Sequence, residues 1–323
     1  MREILAWLNE ALAQKDLVTG MTYYRAKDGT ISATDGRLTA SHPWPFDGDF
    51  LAPGNEFEKI LKRMPETPTL TVSDGMIKLR SGKFNGSIRT LPLTEWDHPG
   101  IEGADNWMPI PKGLLDALGV LRPFISDNAK HGWALCVALE NGWAYSTNNV
   151  AMAGVRCPDL GKIMALLPVW AVDFLLSRAD GVTHWAWTHN YVAFGWDSGA
   201  WMRAQLVVGQ FPERAAALVR DSIKEKPTQV ITPDFREAFQ QIAELAEDTI
   251  SIYADRIEST FGKAAVVSIA ECRTPQEADC SIWGAKYLTP VLQVAKSWSP
   301  DAWPKPAPFK GDGVSGYVVG RRM

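Results

Sequence analysis

Residues 190–212, NYVAFGWDSGAWMRAQLVVGQFP, decide the fold. Val192, Phe194 and Trp196 alternate with small or polar residues. Asp197-Ser198-Gly199 turns the chain, and Met202, Ala204, Leu206 and Val208 alternate on the way back. This pattern predicts two half-buried strands joined by a short turn and closed by a Gly-x-Phe-Pro corner. A similar stretch, GMIKLRSGKFNGSIRTLPLTEWDHP, spans 75–99. The closing prolines of the two stretches, Pro99 and Pro212, lie 113 positions apart. A repeat of that length is a whole domain.

A chain of 323 residues has room for two or three domains. With 46% hydrophobic and 22% charged residues, its composition is that of an ordinary soluble globular protein. No apolar run reaches the roughly eighteen residues of a membrane-spanning helix. The start, MREILAWLNEALAQK, is amphipathic and carries acids, unlike a secretory signal. The formal charge of −4 argues against a surface coated in basic residues. A local basic lining can still coexist with an acidic exterior. Cys136, Cys157, Cys272 and Cys280 show no CxxC spacing and read as reduced thiols of a cytoplasmic protein.

In chain order, Glu3 to Gln14 reads as a helix with Ile4, Leu5, Leu8 and Leu12 on one face. Strands MTYYRA and TISATDGRLTAS follow, around a turn at Lys27-Asp28-Gly29. Asn55 is expected to cap a second helix built on Phe57, Ile60, Leu61 and Met64, which Pro65 and Pro68 stop. TLTVS and the first copy of the hairpin complete the unit. After a linker over 100–110, Pro111 and Lys112 begin a third helix with Leu114, Leu115, Leu118 and Leu121. Strands WALCVAL and WAYSTNNVAMAGV follow. Ser146-Thr147-Asn148-Asn149 takes the place of Ala33-Thr34-Asp35-Gly36, again 113 positions on. Pro168 is expected to open a fourth helix with Val169, Val172 and Leu176, followed by VTHWAWT and the second hairpin.

The pattern starts a third time after the charged linker RDSIKEKPTQ. Thr232 and Pro233 suit the N-cap and first position of a fifth helix, whose inner face is Phe235, Phe239, Ile242 and Ala246. The helix carries Glu237, Glu244, Glu247 and Asp248 against a single Arg236. Strands TISIYA, RIESTF and KAAVVSIAE precede a sixth helix over 285–297, in which Pro290 is tolerable only in the first turn. A Pro-rich segment, WPKPAPFKG, is expected to replace the last hairpin before the terminal strand GYVVGRRM. The reading is six helices in three similar α+β domains: 1–103, 104–222 and 223–323.

Several stretches, taken in order, resemble the bacterial-type DNA sliding clamp, the beta subunit family of DNA polymerase III, in cellular or phage-encoded form. They are ATDGRL (33–38), SGKFNGSIRTLPLTEWDHP (81–99), STNNVAMA (146–153), GQFPE (209–213), KYLTPVL (286–292) and YVVGRRM (317–323). The chain is shorter than the usual family member, has Ala216 where a larger or basic residue is common, and departs in two motifs. Asn149-Val150-Ala151-Met152 stands where Gly-His-Arg-Leu is usual, and Gly320-Arg321-Arg322-Met323 where a Met-Pro-x-Arg tail is usual.

The resemblance implies a DNA clamp fold of three domains, each with two helices packed on antiparallel sheets. It implies a head-to-tail homodimeric ring around double-stranded DNA, with helices lining the hole. It further implies a processivity factor with no chemistry and no cofactor, whose partners are a polymerase and a clamp loader bound through short linear peptides. Lys59, Lys62, Arg63, Lys112, Arg122, Arg178, Lys286 and Lys296 are then candidates for sequence-independent contact with phosphates. By motif position the peptide pocket takes Thr147, Val150 and Met152, then Pro212, Ala216 and Leu218, and Val318, Val319 and Met323 from the tail. Ring closure places Ile88 and Leu245 near the contact between copies.

Other classes leave weaker traces. His184 and His189 are five apart on an alternating pattern, which puts them on opposite faces and makes a poor metal pair. The chain has no GxxxxGK[ST], GxSxG or HExxH. Asp35 and Asp74 stand beside glycines and read as turn residues. A clamp-like peptide-binding or decoy module that does not encircle DNA is the alternative, and a nuclease or hydrolase a distant one.

Overall fold

Asp35 and Asn148 each tie a tight turn by accepting two backbone N–H groups on one carbonyl or carboxyl oxygen. These turns, 113 residues apart, set the register of two large sheets. The computed structural model describes residues 1–15, 18–95, 106–246, 248–259 and 265–322. Pro99, Glu247, Met323 and part of the 100–110 linker lie outside the described residues.

The elements run α1 (Arg2–Leu8), β1 (Tyr23–Lys27), β2 (Thr30–Thr34), β3 (Leu38–Pro43), β4 (Phe50–Pro53), α2 (Gly54–Arg63), β5 (Thr69–Ser73), β6 (Met76–Ser81) and β7 (Phe84–Arg89). Next come β8 (Met108–Pro109), α3 (Leu114–Leu121), β9 (Cys136–Glu140), β10 (Trp143–Thr147), β11 (Ala151–Arg156), β12 (Met164–Pro168), α4 (Val169–Leu176), β13 (Val182–Trp187), β14 (Tyr191–Trp196) and β15 (Trp201–Gln205). The remainder is α5 (Glu213–Ser222), β16 (Gln229–Val230), α6 (Pro233–Ala243), β17 (Thr249–Tyr253), β18 (Arg256–Ser259), β19 (Val266–Ser268), β20 (Cys280–Gly284), α7 (Ala285–Val294), β21 (Ala295–Trp298), β22 (Ala307–Gly311) and β23 (Val314–Val318).

The chain divides into two compact units. The first holds Met1–Ile110 and Ser177–Leu206. Its large sheet has the order β4-β1-β2-β3-β15-β14-β13-β8, and a separate sheet has the order β5-β6-β7. The hairpin at 190–212 is β14 and β15, and β15 pairs with β3, Leu38 opposite Ala204. Leu5 and Leu8 of α1 and Phe57 and Leu61 of α2 are buried. Phe57 sits 5.8 Å from Phe50 and 6.4 Å from Tyr24, ring centre to ring centre. Each such buried side chain contributes about 1.5–3 kcal/mol of hydrophobic stabilisation. The Tyr24 phenol donates to Glu58 Oε1 at 2.6 Å, and burial together with that bond pushes its pKa up.

The second unit holds Pro111–Leu176 and Val207–Met323. Its large sheet runs β12-β9-β10-β11-β23-β22-β21-β16, and its smaller one β19-β18-β17-β20. Here β11 pairs with β23, Ala151 opposite Val318. Phe124 stacks on Phe309 at 5.8 Å, and Trp283 lies 5.1 Å from Trp298. The strands read at 190–212 are present and antiparallel, but only β15 shows half-buried alternation; β14 is buried on both faces from Tyr191 to Phe194 and again at Trp196.

Several expectations need correction. α1 ends at Leu8, and a 3-10 turn over Asn9–Ala11 follows it; Leu12 is buried beyond both. Pro53, not Asn55, holds the N-cap of α2, and no side chain caps it. Pro111 and Lys112 precede α3, which begins at Leu114. Pro168 ends β12, and α4 starts after it. Ala246 lies past the end of α6, and Val208 past β15, almost fully exposed. Pro290 sits inside α7, where the helix lacks one donor, and is buried. The helix ends at Val294, so Lys296 belongs to β21. The Pro-rich segment contains β22, so the third hairpin is present. Residues 213–222, where the sequence reading places no element over 213–219 and a linker over 220–222, form a further helix, α5, with Ala216, Val219 and Ser222 facing in. Thr232 does cap α6: its hydroxyl accepts from the Phe235 amide at 3.2 Å.

Candidate functional site

The turn between β10 and β11 is built by side chains. Thr147 Oγ1 donates to Ala151 O at 2.9 Å and accepts from Asn149 N at 3.0 Å. Asn148 Oδ1 accepts from the amides of Val150 (3.1 Å) and Ala151 (2.8 Å). Asn149 takes the left-handed conformation, φ 71°, which Asn tolerates better than most residues. The turn is therefore rigid, and Val150 is held at its rim.

The tail runs beside it. Val319 N donates to Val150 O at 2.9 Å, and Arg321 N to Ile282 O at 2.9 Å. Trp303 Nε1 donates to Arg321 O at 3.0 Å. The indole lies so close to Gly320 that a Cβ there would meet Trp303 Cδ1 at 2.1 Å. Any side chain at this position would therefore force the indole to move.

Turn and tail enclose a cavity of about 490 Å³. Val150, Val319, Tyr287 and Gly284 line it, and Asp248 and Arg321 form an ion pair at its rim. Gly284 leaves room for the Tyr287 ring, whose Cδ2 would lie 2.8 Å from a Cβ at that position. The arrangement is apolar walls with one aromatic ring and a charged rim, the chemistry of a site for an apolar side chain on a polar backbone.

Among the expected pocket residues, the cavity brings together Val150 and Val319. Thr147 is buried and committed to the turn. Val318 is buried in the sheet. Ala216 is fully buried with Cys136, Ala138, Tyr145, Leu166, Phe211 and Val219, and Met152 packs against that cluster. Pro212 is the N-cap of α5, and Leu218 is half exposed on that helix. Met323 lies outside the described residues. The sequence reading missed Tyr287, Gly284, Asp248 and Arg321, although KYLTPVL and YVVGRRM contain two of them.

The eight basic candidates separate by environment. Lys59 and Arg63 are exposed on α2, Lys112 is exposed before α3, and none of the three has an ion-pair partner among the described residues. Lys62, also exposed, pairs with Glu58 at 3.2 Å. Lys286 pairs with Asp127 at 3.0 Å in the first turn of α7, and Lys296 with Asp312 at 2.6 Å. Arg122 grips Asp173 with two N–H groups, and that hydrogen bonding pushes its pKa up. Arg178 lies past α4 with a side chain only 9% exposed. It pairs with Glu10 at 3.1 Å and donates to Trp7 O at 2.9 Å. Its place is in the packing of the first unit. Ile88, on β7, points inward and is buried; Leu245, just past α6, is half exposed.

Burial pushes the Cys136 and Cys272 thiols up to about 12 and the Cys157 thiol to about 11, so none of them is a nucleophile at neutral pH. Among the described residues no three His, Cys, Asp or Glu gather as a metal set, and no helix is long and apolar enough to cross a membrane.

By sequence, the chain matches no protein-family model and no curated protein. By architecture it has the fold of bacterial DNA polymerase sliding clamps. The beta sliding clamp of C. crescentus superposes with a TM-score of 0.79 at 15% identity, over 100% of this chain and 97% of that one. The DNA polymerase sliding clamp of Bacillus subtilis gives 0.79 at 16%, with the same coverage. The Bartonella birtlesii clamp (DNA polymerase III subunit beta), solved bound to griselimycin, gives 0.80 at 15%, again over 100% and 97%.

Proposed function

We propose that the chain is a DNA polymerase processivity factor: a homodimeric ring that encircles duplex DNA and tethers a polymerase and its loader through peptides seated in the β11–β23 cavity. The observation that carries this reading is a pair of unfinished sheets. In each large sheet a strand that follows a tight turn (β3 or β11) pairs with the last strand of a hairpin (β15 or β23). Among the described residues, two half-sheets of the same pattern have no such continuation: β5-β6-β7, ending on β7, and β20-β17-β18-β19, ending on β19. By order along the chain, β7 corresponds to β15 and β23, and β19 to β3 and β11.

Antiparallel pairing of β7 with β19 of a second copy completes the pattern and covers two open edges. Two such contacts are head-to-tail and close a ring of two chains. Val266 in β19, 58% exposed, fits a strand that awaits a neighbour. Ile88 would serve this contact through the backbone of β7, and Leu245 through its exposed side chain. In this reading the repeats are domains 1–103, 104–222 and 223–323, and the sheets cross their boundaries. The compact units therefore group strands by sheet rather than by repeat. Lys59, Lys62, Arg63 and Lys112 are the strongest of the basic candidates for phosphate contact, the protein works in the cytoplasm, and it performs no chemistry.

Static light scattering tests the ring. Expected is twice the 35.7 kDa chain mass at micromolar concentration, falling to one chain mass in Val266→Lys. A wild-type monomer at that concentration contradicts the ring and leaves a peptide-binding module of the same fold.

A further inference from the structure

The sheet β5-β6-β7 has one covered face and one bare face. Ile77, Leu79 and Ile88 point to the covered face and are buried. A Cβ on Gly86 would meet Ile60 Cγ2 at 2.8 Å, so α2 packs on that side. Successive side chains of a strand alternate between faces, and the intervening residues therefore point the other way. Lys78, Arg80 and Arg89 are among them. All three are exposed, as is Lys83 in the turn between β6 and β7.

The register sets these cations in a row. Arg89 pairs with Met76, Lys78 follows two residues along β6, and Arg80 two residues further. The steps of about 6.8 Å are twice the ~3.4 Å axial rise between phosphates of one duplex strand. Thr71 and Ser87 flank Lys78 on the neighbouring strands, and their hydroxyls suit phosphate oxygens.

Carboxylates stay off this face. Residues 69–89 hold four cations and one acid, Asp74 in the β5–β6 turn, on a chain whose formal charge is −4. None of the four cations has an ion-pair partner among the described residues. Arg122, Arg178, Lys286 and Lys296, by contrast, are each held by an acid. An ordinary solvated surface intersperses the two signs. The bare face also has no aromatic ring on which the bases of a single strand could stack. Phe84, in register with the buried Ser81, points to the covered side. Charge in a row, hydroxyls beside it and no stacking platform match the backbone of a duplex.

We propose that the bare face of β5-β6-β7 is a second DNA-binding surface, which holds the phosphate backbone of duplex DNA outside the ring without reading its sequence. The position outside the ring rests on the ring proposed above, in which helices line the hole. The contact with DNA does not depend on it.

Filter binding of covalently closed circular duplex at low salt, with no loader present, tests it, because a closed ring cannot encircle that DNA. The wild type is expected to bind. Lys78→Gln with Arg80→Gln should weaken binding about tenfold or more and reduce the slope of log affinity against log salt by about 1.8, the share of two phosphate contacts. Lys83→Gln with Arg89→Gln should weaken it as an independent pair. Both pairs are exposed, so melting temperatures should stay unchanged. Lys78→Arg with Arg80→Lys keeps the charge and should keep the affinity. Failure of the wild type to bind overturns the proposal, as does wild-type affinity in both Gln pairs. Tighter binding of oligothymidylate, an oligoglutamate peptide or phosphatidylserine vesicles, lost in the same variants, also overturns it. Weakened binding by both Gln pairs in a chain that light scattering shows to be monomeric supports this face and overturns the ring alone.

Discussion

Val319 donates its amide to the carbonyl of Val150 at 2.9 Å, so the two apolar walls of the β11–β23 cavity are tied together through the backbone. The walls are thereby fixed in the free protein, so the peptide proposed above would meet a preformed site. Substitutions of the wall side chains should alter binding without loosening the frame.

Val150→Arg is the sharpest such change. The equivalent position in the first repeat is already arginine, Arg37, on a turn with the same hydrogen bonds, so the variant should fold. Affinity for polymerase-derived or Leu-rich peptides should fall about tenfold or more, as for truncation of an interface anchor. Isothermal titration against the wild type checks this, with a melting curve as control. Unchanged affinity would remove the cavity from the account.

Arg178 and Arg63 should behave oppositely. Arg178→Ala removes the donor to the Trp7 carbonyl and the ion pair with Glu10, and should cost about 2 kcal/mol of stability with little effect on DNA affinity. Lys59→Glu with Arg63→Glu should leave the melting temperature nearly unchanged, since both side chains are exposed. It should weaken binding to any duplex and flatten its salt dependence. Chemical denaturation and filter binding across a salt series separate the two.

The seam between β11 and β23 depends on residues without room. A Cβ on Gly316 would meet the Met152 carbonyl oxygen at 2.0 Å. Gly316→Ala should therefore cost about 2 kcal/mol or more, because backbone must move. Ala216→Arg forces a charge among Tyr145, Phe211 and Val219 and should cost more than about 3 kcal/mol. Urea titration of both variants measures it. A fully stable Ala216→Arg would show that α5 does not pack as described.

These positions also show what the sequence could and could not reveal. The repeat was legible because its turns demand special chemistry: an Asx side chain to cap two amides, then Gly36 or Asn149 for a left-handed residue. Such needs are local and survive divergence. α5 escaped notice because ERAAALVRDS follows a Pro corner and its last three residues open the charged run RDSIKEKPTQ, which hid a short apolar face. Arg178 resembled any exposed helix cation because its partners, Trp7 and Glu10, lie far away in sequence. Of the pocket, Val150 and Val319 could be read from motif position. Tyr287 and Asp248 could not, because no local pattern says that the start of α7 and the bend before β17 meet the tail.

Alkaline pH should destabilise the fold. Cys136 and Cys272 are pushed up to about 12 by burial, and Cys157 to about 11. In the unfolded chain a thiol ionises near pH ~8.5. A folded pKa above the unfolded one gives stability that is whole below about 8.5 and is lost as pH rises towards the folded value. The melting temperature should thus decline from about pH 8.5 upward, and less steeply in Cys136→Ala. A thiol reagent at pH 7.5 (about one unit below that free-thiol value) should modify Cys280, which is partly exposed, well before the other three. Equal rates at all four would contradict their burial.

The central claim is a closed ring on DNA, and topological retention tests it most directly. The protein is loaded onto a nicked circular plasmid with its loader and passed through a sizing column in high salt, before and after one cut linearises the DNA. The account predicts co-elution with the circle and release from the linear form. Equal release from both forms, or equal retention on both, would contradict it.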